Sequence, residues 1–165
     1  MASGSSLHVF TPLANNPPAS NYAVIGSRNN HPLLGFDDAT NWDAVFTSVL
    51  SRAYAAGGIT VTIAWMAKTA TTGNALWLGA FELLNSNAQD LDSDGFAATQ
   101  TSSADAANGT SGKLTFSTIA FTDGSQMDSI AAGVPFRFKL TRNATSASDT
   151  IVGDCQVISV ELKET

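Results

Sequence analysis

Short apolar runs, separated by glycine, asparagine, serine and threonine, make up most of the chain from residue 22 onwards. In several runs apolar and polar side chains alternate with a period of two, as in ITVTIAW (residues 59–65), which is typical of a half-buried β-strand. A shorter run at residues 7–10 predicts one more strand near the start. The main runs that predict strands are residues 22–27, 44–50, 59–65, 76–83, 113–119, 135–142 and 155–162.

The connections between these runs vary in length, and the longest covers residues 84–112. A long connection of this kind favours a Greek-key or jelly-roll crossing over a simple meander. Helical signals are few: residues 123–132 have apolar side chains at helical spacing and end at Gly133, a good C-cap, and residues 37–43 are long enough for one turn. The pattern therefore predicts an all-β fold, a single-domain, jelly-roll-like β-sandwich over residues 21–165.

The first part of the chain has a different texture. Residues 1–6 are small and polar, so we expect them to be disordered, and the segment PLANNPPASN that begins at Pro12 contains three prolines. Such a segment suits neither a helix nor a central strand. We therefore predict an extended, partly disordered N-terminal arm over residues 1–20. It would lie along its own domain or along a neighbour, and ~20 extended residues reach ~60 Å at most.

The alternation also predicts which side chains face the core. Residues 135–142 place Phe136, Phe138 and Leu140 on one face and most of the bases on the other. The last run, residues 155–162, places apolar side chains on both faces, as in a strand inside a sandwich.

Composition and charge exclude several classes of function. The 165 residues are 44% hydrophobic and 13% charged, with 14 acids against 8 bases and a formal net charge of -6. Nucleic-acid binding needs several bases on one face, and the sequence has no such cluster, so we expect no nucleic-acid partner. We also expect no membrane partner, because no long apolar run appears, and the start does not resemble a secretory signal.

The stretch DLDSDG (residues 90–95) begins like a calcium-binding loop. Asp90, Asp92 and Asp94 occupy the first, third and fifth positions, and Gly95 occupies the sixth. Position twelve is Thr101, which has no carboxylate to close the coordination shell. The helix-loop-helix interpretation therefore fails. A non-standard calcium site formed by the three aspartates stays open beside the simpler interpretation, a turn, and no other cofactor is indicated.

Catalytic signatures are not found. There is no G-x-S-x-G, C-x-x-C or H-E-x-x-H motif, and the paired acids Asp37 and Asp38 are better explained as turn residues. Cys155 is the single cysteine and lies in a predicted strand with no histidine near it in sequence, which predicts a small core residue. We therefore expect that the protein is not an enzyme.

Aromatic side chains leave a binding function open. A sugar-binding module exposes two or three aromatic rings on one face, and Trp65 and Trp77 lie on predicted strands where they could do so. The alternative, which we favour, is that both tryptophans fill the core of the sandwich.

The chain also resembles a known group of proteins. The resemblance rests on the segments FTPLANNPPASNYAVIGSRNNHPLLGFDD, ITVTIAWMAKTATTG, DLDSDGF, FTDGSQMDSIAAGVPFRFKLTRNA and GDCQVISVELKET. In their order and texture these are similar to segments of small jelly-roll virion structural proteins of tailed bacteriophages. The resemblance runs from about residue 10 to the C-terminus and supplies no functional residues to transfer.

The resemblance implies a structural protein of the virion. The first expectation is a capsid decoration (cement) protein that binds the capsid surface as a homotrimer, with the major capsid protein and other virion proteins as its partners. The alternative is a glycan-binding module of a head fibre, tail fibre or spike that adheres to the host surface.

Overall fold

The computed structural model describes residues 4–85 and 89–165, and they form a β-sandwich with no α-helix in those ranges. Two short 3-10 helices cover Pro12–Ala14 and Ser125–Met127. The strands are β1 (Ser6–Phe10), β2 (Val24–Arg28), β3 (His31–Phe36), β4 (Asp43–Val49), β5 (Ile59–Ala67), β6 (Asn74–Ala75), β7 (Trp77–Leu83), β8 (Gln100–Thr101), β9 (Asp105–Ala106), β10 (Thr115–Phe121), β11 (Pro135–Arg142) and β12 (Cys155–Glu164).

The two main sheets have six and four strands. The larger sheet has the order β10-β5-β12-β3-β2, with β1 paired to the far part of β12, and the smaller sheet has the order β4-β11-β7-β8. From β3 onwards the longer strands alternate between the sheets, since β3, β5, β10 and β12 belong to the larger one and β4, β7 and β11 to the smaller one. This crossing from sheet to sheet is the arrangement of a jelly roll, so the predicted fold class is confirmed.

The core lies between the sheets and is rich in aromatic rings. Phe136, Phe138 and Leu140 are fully buried, which confirms the predicted facing of β11. Trp65 of the larger sheet and Trp77 of the smaller one meet across the core with ring centroids 6.0 Å apart. Aromatic pairs at such distances add stability beyond the area that they bury.

A β-bulge explains the mixed faces of the last strand. Val157 pairs with Trp65 and Ser159 with the next residue, Ala64, so that Ile158 is the extra residue. An extra residue exchanges the two faces of a strand. Before the bulge Cys155 and Val157 point into the core, and after it Val160 and Leu162 do. The apolar residues on both faces of the sequence pattern therefore belong largely to one core.

The hairpin of β2 and β3 contains a strand that the sequence pattern did not predict. Its two-residue turn is Asn29–Asn30, and both asparagines have positive φ, at 47° and 63°. Asparagine tolerates this conformation, which two-residue hairpins require. The segment HPLLGF of β3 hides its strand character because it contains Pro32 and has no clear alternation.

The predicted helix at residues 123–132 is wrong. The segment contains one 3-10 turn, Ser125–Met127, after which Asp128 and Ser129 adopt positive φ. Met127 and Ile130 are nevertheless buried against the core, so their spacing reflected burial and not an α-helix. Residues 37–43 form no helical turn either: the Asp37 carboxylate accepts hydrogen bonds from the backbone N–H groups of Ala39 and Thr40.

The N-terminal segment lies against the chain's own sandwich. The run at residues 7–10 forms the predicted strand within β1, which pairs with β12, and the side chains of Leu7 and Phe10 are buried in the core. Farther along, Asn15 forms a bridge to Phe46 of β4. Residues 4 and 5 also pair with β12, since the N–H of Gly4 donates to the carbonyl oxygen of Glu164 and the N–H of Glu164 donates to that of Ser5. From residue 4 onwards this segment therefore contributes to the fold, and of the expected disordered residues 1–6 only 1–3 lie outside the described residues. Within the described ranges, no helix is long and apolar enough to cross a membrane.

Candidate groove on the outer face of the larger sheet

A groove of about 370 Å³ opens on the outer face of the larger sheet. Small-molecule sites commonly have volumes of ~300–1,000 Å³. The tip of the β2–β3 hairpin forms one wall, β5 and β12 form the floor, and the segment before β10 forms the other wall. The lining residues are Arg28, Asn29, His31, Met66, Gly112, Leu114 and Ile158.

The floor of the groove is apolar. In β5 the side chains of Ile63 and Trp65 point into the core, so that of Met66 points outwards, yet it is only 5% exposed. Ile158, the bulge residue of β12, lies beside it and is half-buried. Leu114 completes the apolar surface and is 40% exposed.

Phe116 extends this apolar surface beyond the groove. It pairs with the outward-facing Ala64 across the β10–β5 ladder, and its ring is 62% exposed. Leu114 and Phe116 are two residues apart and therefore share a face. A large exposed ring beside a ligand-sized groove is a feature of a binding surface rather than of a core.

The sequence carried a signal for this surface. Leu114 and Phe116 are even-numbered, whereas Ile119 and Phe121 are odd-numbered. Side chains alternate between the faces of a strand, and the pairing of β10 with β5 has no bulge that would change this alternation. The two apolar pairs must then lie on opposite faces, and the buried pair is Ile119 and Phe121. An unbulged strand with apolar pairs on both faces thus indicates that one pair is exposed.

Arg28 forms the polar wall, and neighbouring strands hold it in place. Its Nη1 donates to the carbonyl oxygen of Lys68 and to Oε1 of Gln156, both at 3.2 Å, and its Nη2 donates to Oγ of Ser111 at 3.1 Å. Ser111 in turn donates to the same Lys68 carbonyl at 3.0 Å. The guanidinium therefore joins the hairpin, the end of β5 and the loop before β10.

Gly112 fits closely against this guanidinium. A Cβ at Gly112 would lie 3.0 Å from Nη2 of Arg28, and the residue has φ of +87°. Both constraints favour glycine at this position. On the other side, Nδ1 of His31 lies 3.3 Å from the carbonyl oxygen of Arg28. His31 and Asn29 are both exposed at the mouth of the groove.

The two tryptophans do not form a binding platform. Trp65 and Trp77 are fully buried, as the favoured interpretation of the sequence predicted. Trp65 donates its indole N–H to Oγ of Ser117 at 2.9 Å, inside the core. The exposed rings in the described part of the chain include Phe116 and Tyr22, and the sequence analysis singled out neither as a site.

The DLDSDG stretch forms a turn whose carboxylates contact its own backbone. Asp94 accepts a hydrogen bond from the N–H of Asp90 at 2.6 Å, and Asp90 accepts one from the N–H of Asp92 at 3.1 Å. These are the local bonds that aspartate forms in turns. All three aspartates are exposed. The calcium site at Asp90, Asp92 and Asp94 stays an untested alternative to the turn, which these hydrogen bonds favour.

Another acidic cluster lies at one end of the sandwich. Among the described residues, carboxylate oxygens of Asp37, Asp38 and Asp154 lie within 4.8 Å of one another. Each of these side chains already has a donor: Asp37 caps its own turn, Asp38 accepts from the N–H of Gly153 at 2.6 Å, and Asp154 pairs with Lys68 at 2.9 Å. The cluster is thus explained by local hydrogen bonding and charge pairing.

Cys155 is a core residue, as predicted. Its side chain is fully buried, and burial raises the pKa of the thiol to about 12. The thiolate is the reactive form of cysteine, so this thiol is inert near neutral pH.

The fold and the groove together define a β-sandwich with a ligand-sized site on one sheet. No family model matches the chain, and no curated protein matches it significantly. A carbohydrate-binding module of lichenase 5A from Cellvibrio mixtus, in complex with cellotriose, aligns over 98% of this chain and 99% of its own, with a TM-score of 0.52 and 11% identity. A carbohydrate-binding module of a multidomain xylanase from the hindgut metagenome of Trinervitermes trinervoides aligns over 94% of each chain, with a TM-score of 0.49 and 11% identity. At such identities the likeness is one of fold.

Proposed function

We propose that the protein is a carbohydrate-binding module and that the groove beside Phe116 holds the saccharide. The observation that carries this proposal is the combination of an apolar floor with a polar wall in one open groove of about 370 Å³. The module of the same fold from Cellvibrio mixtus, described in complex with cellotriose, supports it. The proposal corresponds to the glycan-binding alternative of the sequence analysis, but Phe116 takes the binding role that was considered there for Trp65 and Trp77.

The chemistry of a saccharide suits the two sides of the groove. The C–H face of a pyranose ring is apolar and packs on exposed rings and aliphatic side chains, here Phe116 and Leu114. Its hydroxyl groups need hydrogen-bond partners, and Asn29, His31 and Arg28 offer donors and acceptors along the wall. No catalytic group is required for such binding.

Calorimetric titration with a panel of oligosaccharides tests this function. We expect at least one of them to bind with a Kd of ~1 mM or below, which corresponds to about −4 kcal/mol. Phe116→Ala should weaken that binding, because it removes the exposed ring. Val152→Ala is a matched control, since Val152 is 82% exposed and does not line the groove. Failure of every saccharide to bind at millimolar concentration would remove the proposal.

The virion role is a second candidate, favoured by a different surface. Leu13, Tyr22, Val24 and Ile25 are exposed by 73%, 44%, 48% and 52%, and they line a second, smaller groove. Contiguous exposed apolar side chains favour a protein contact. We propose that this patch contacts the major capsid protein, as expected for a capsid decoration protein.

The fold changes how the virion role should be tested. Deletion of residues 1–20 would remove β1 and its buried side chains, so loss of particle binding would not be informative. The double variant Leu13→Ser, Tyr22→Ser alters only exposed side chains. It should reduce binding to particles while the melting temperature is unchanged, and unaltered particle binding would contradict the role of the patch. Light scattering of the purified protein checks the predicted homotrimer.

A further inference from the structure

We propose that the groove selects acidic saccharides, with Arg28 and His31 facing a carboxylate of the sugar. This inference rests on the proposed function and names its ligand class. The residues that line the groove include these two basic side chains and neither an aspartate nor a glutamate. This is notable in a chain with 14 acids and 8 bases.

The charge of Arg28 has no counter-ion in the described part of the chain. Its acceptors are Sδ of Met66, the carbonyl oxygens of Ala67 and Lys68, and the neutral side chains of Gln156 and Ser111. Two other arginines contrast with it, since Arg137 pairs with Glu82 and Arg142 with Asp149. All these hydrogen-bond acceptors of the Arg28 guanidinium are neutral, so its positive charge is available to a ligand.

The guanidinium is also fixed before any ligand arrives. Its bonds to three chain segments and the close approach of Gly112 restrict its rotamer. A side chain that is already ordered loses little further entropy on binding. A planar guanidinium matches the two oxygens of a carboxylate, and such charge-assisted bonds are about twice as strong as neutral ones. A uronic acid supplies a carboxylate on the rim of a ring whose C–H face is apolar.

The arrangement of the groove separates the two parts of such a ligand. The apolar ring face would pack on Leu114 of the groove and on the exposed Phe116 next to it, while the carboxylate would face Arg28 and His31. A neutral sugar would satisfy the floor but leave the arginine charge without a partner. The difference in affinity between an acidic saccharide and its neutral counterpart is therefore the quantity to measure.

The contribution of the carboxylate to binding can be isolated with pairs of polymers that differ only in that group. Polygalacturonate, alginate and hyaluronate are each compared with their carboxyl-reduced forms, which keep the backbone and lose the charge. Affinity electrophoresis and calorimetry are run at ~0.15 M salt, where the Debye length is ~8 Å and long-range attraction is weak. We expect at least one acidic polymer to bind about tenfold or more tightly than its reduced form, as a charged hydrogen bond predicts. A sulfated galactan serves as an anion without carboxylates.

Two variants test the assignment to Arg28. Arg28→Gln should abolish the preference for the acidic form while weak binding of the reduced form persists. Because Arg28 also joins several chain segments, Asn29→Asp provides a second route: it keeps a residue suited to the turn and places a negative charge at the groove mouth. It should weaken binding of the acidic form selectively. Lys139→Gln removes a base from the other sheet and should change nothing.

The outcomes separate the two proposals. Equal binding of acidic and reduced polymers would overturn the acidic ligand class and leave the carbohydrate-binding function standing. Binding of neither form, with no other saccharide bound, would overturn the function itself. Equal binding of the sulfated galactan, or equal losses in Arg28→Gln and Lys139→Gln, would indicate unspecific anion binding and overturn the carboxylate assignment.

Discussion

Arg142 and Asp149 form an ion pair that is closed off from solvent. Nη2 of Arg142 lies 2.8 Å from Oδ1 of Asp149, and Nε lies 3.0 Å from Oδ2, while both side chains are at most 1% exposed. The same guanidinium donates to the carbonyl oxygens of Asp37, Ile151 and Gly153. Arg142 therefore joins the end of β11 to the loop before β12 and to the segment after β3.

Removal of one partner of this pair should destabilise the fold strongly. Asp149→Ala leaves a buried, uncompensated charge, and we expect a loss of about 3–5 kcal/mol in the free energy of unfolding. The double variant Arg142→Met, Asp149→Leu should lose less than the sum of the two single variants, because the two positions interact. Urea unfolding of the parent protein, Arg142→Met, Asp149→Leu, their double variant and Asp149→Ala measures this. A loss below about 1 kcal/mol in Asp149→Ala would contradict the buried-pair argument.

The facing of β11 gives a second prediction. Phe138→Asp places a charge where the side chain is fully buried, so we expect a loss of several kcal/mol or no folded protein. Phe116→Asp is the same substitution at a ring that is 62% exposed, and it should change stability by less than about 1 kcal/mol. Thermal melts of both variants check the pair. Similar melting temperatures for the two would mean that the strand faces are assigned wrongly.

The strands whose facing the sequence predicted correctly are those with an uninterrupted period of two. In β11 that period places Phe136, Phe138 and Leu140 in the core without any knowledge of the partners. The last strand was harder, because the bulge at Ile158 reverses the faces in the middle of the run. Whether a bulge forms depends on the pairing with β5, which sequence alone does not specify.

The candidate groove could not be predicted from the sequence because its parts come from distant segments. Arg28, Met66, Leu114 and Ile158 meet only after β5, β12 and the β2–β3 hairpin are placed beside one another. Strand β3 of that hairpin was not predicted from the sequence, because Pro32 weakens its strand signal. Two local signals did exist: the Asn29–Asn30 turn, and the apolar pair Leu114 and Phe116 at the start of β10, which is out of step with the buried pair in the period-two alternation.

The environment of His8 predicts how stability depends on pH. Its ring lies against that of Phe10, with centroids 4.5 Å apart, and 3.3 Å from Oγ of Ser48. Burial lowers the pKa of His8 below its usual value. The unfolded chain therefore binds a proton near pH ~6.5, before the folded protein does, and stability should fall as the pH drops below that value.

A substitution of His8 isolates the contribution of its protonation to the pH dependence of stability. His8→Gln keeps a polar side chain next to Ser48 and does not titrate, so it should lose less stability than the parent protein between pH about 7.5 and about 5. Urea unfolding at both values measures the difference. An equal loss in both proteins would assign the acid sensitivity to carboxylates instead.

Calcium provides the last prediction. The carboxylates of Asp90 and Asp94 accept hydrogen bonds from backbone N–H groups of their own turn, and all three aspartates of the stretch are exposed. We therefore expect the melting temperature to be the same in ~1 mM calcium and in chelator. A site with a Kd of ~10 µM that binds only the folded state would add about 2.7 kcal/mol at that concentration. If a shift of that size is seen, Asp92→Asn and Asp38→Asn separate the two acidic groups, because the variant that abolishes the shift identifies which cluster binds the ion.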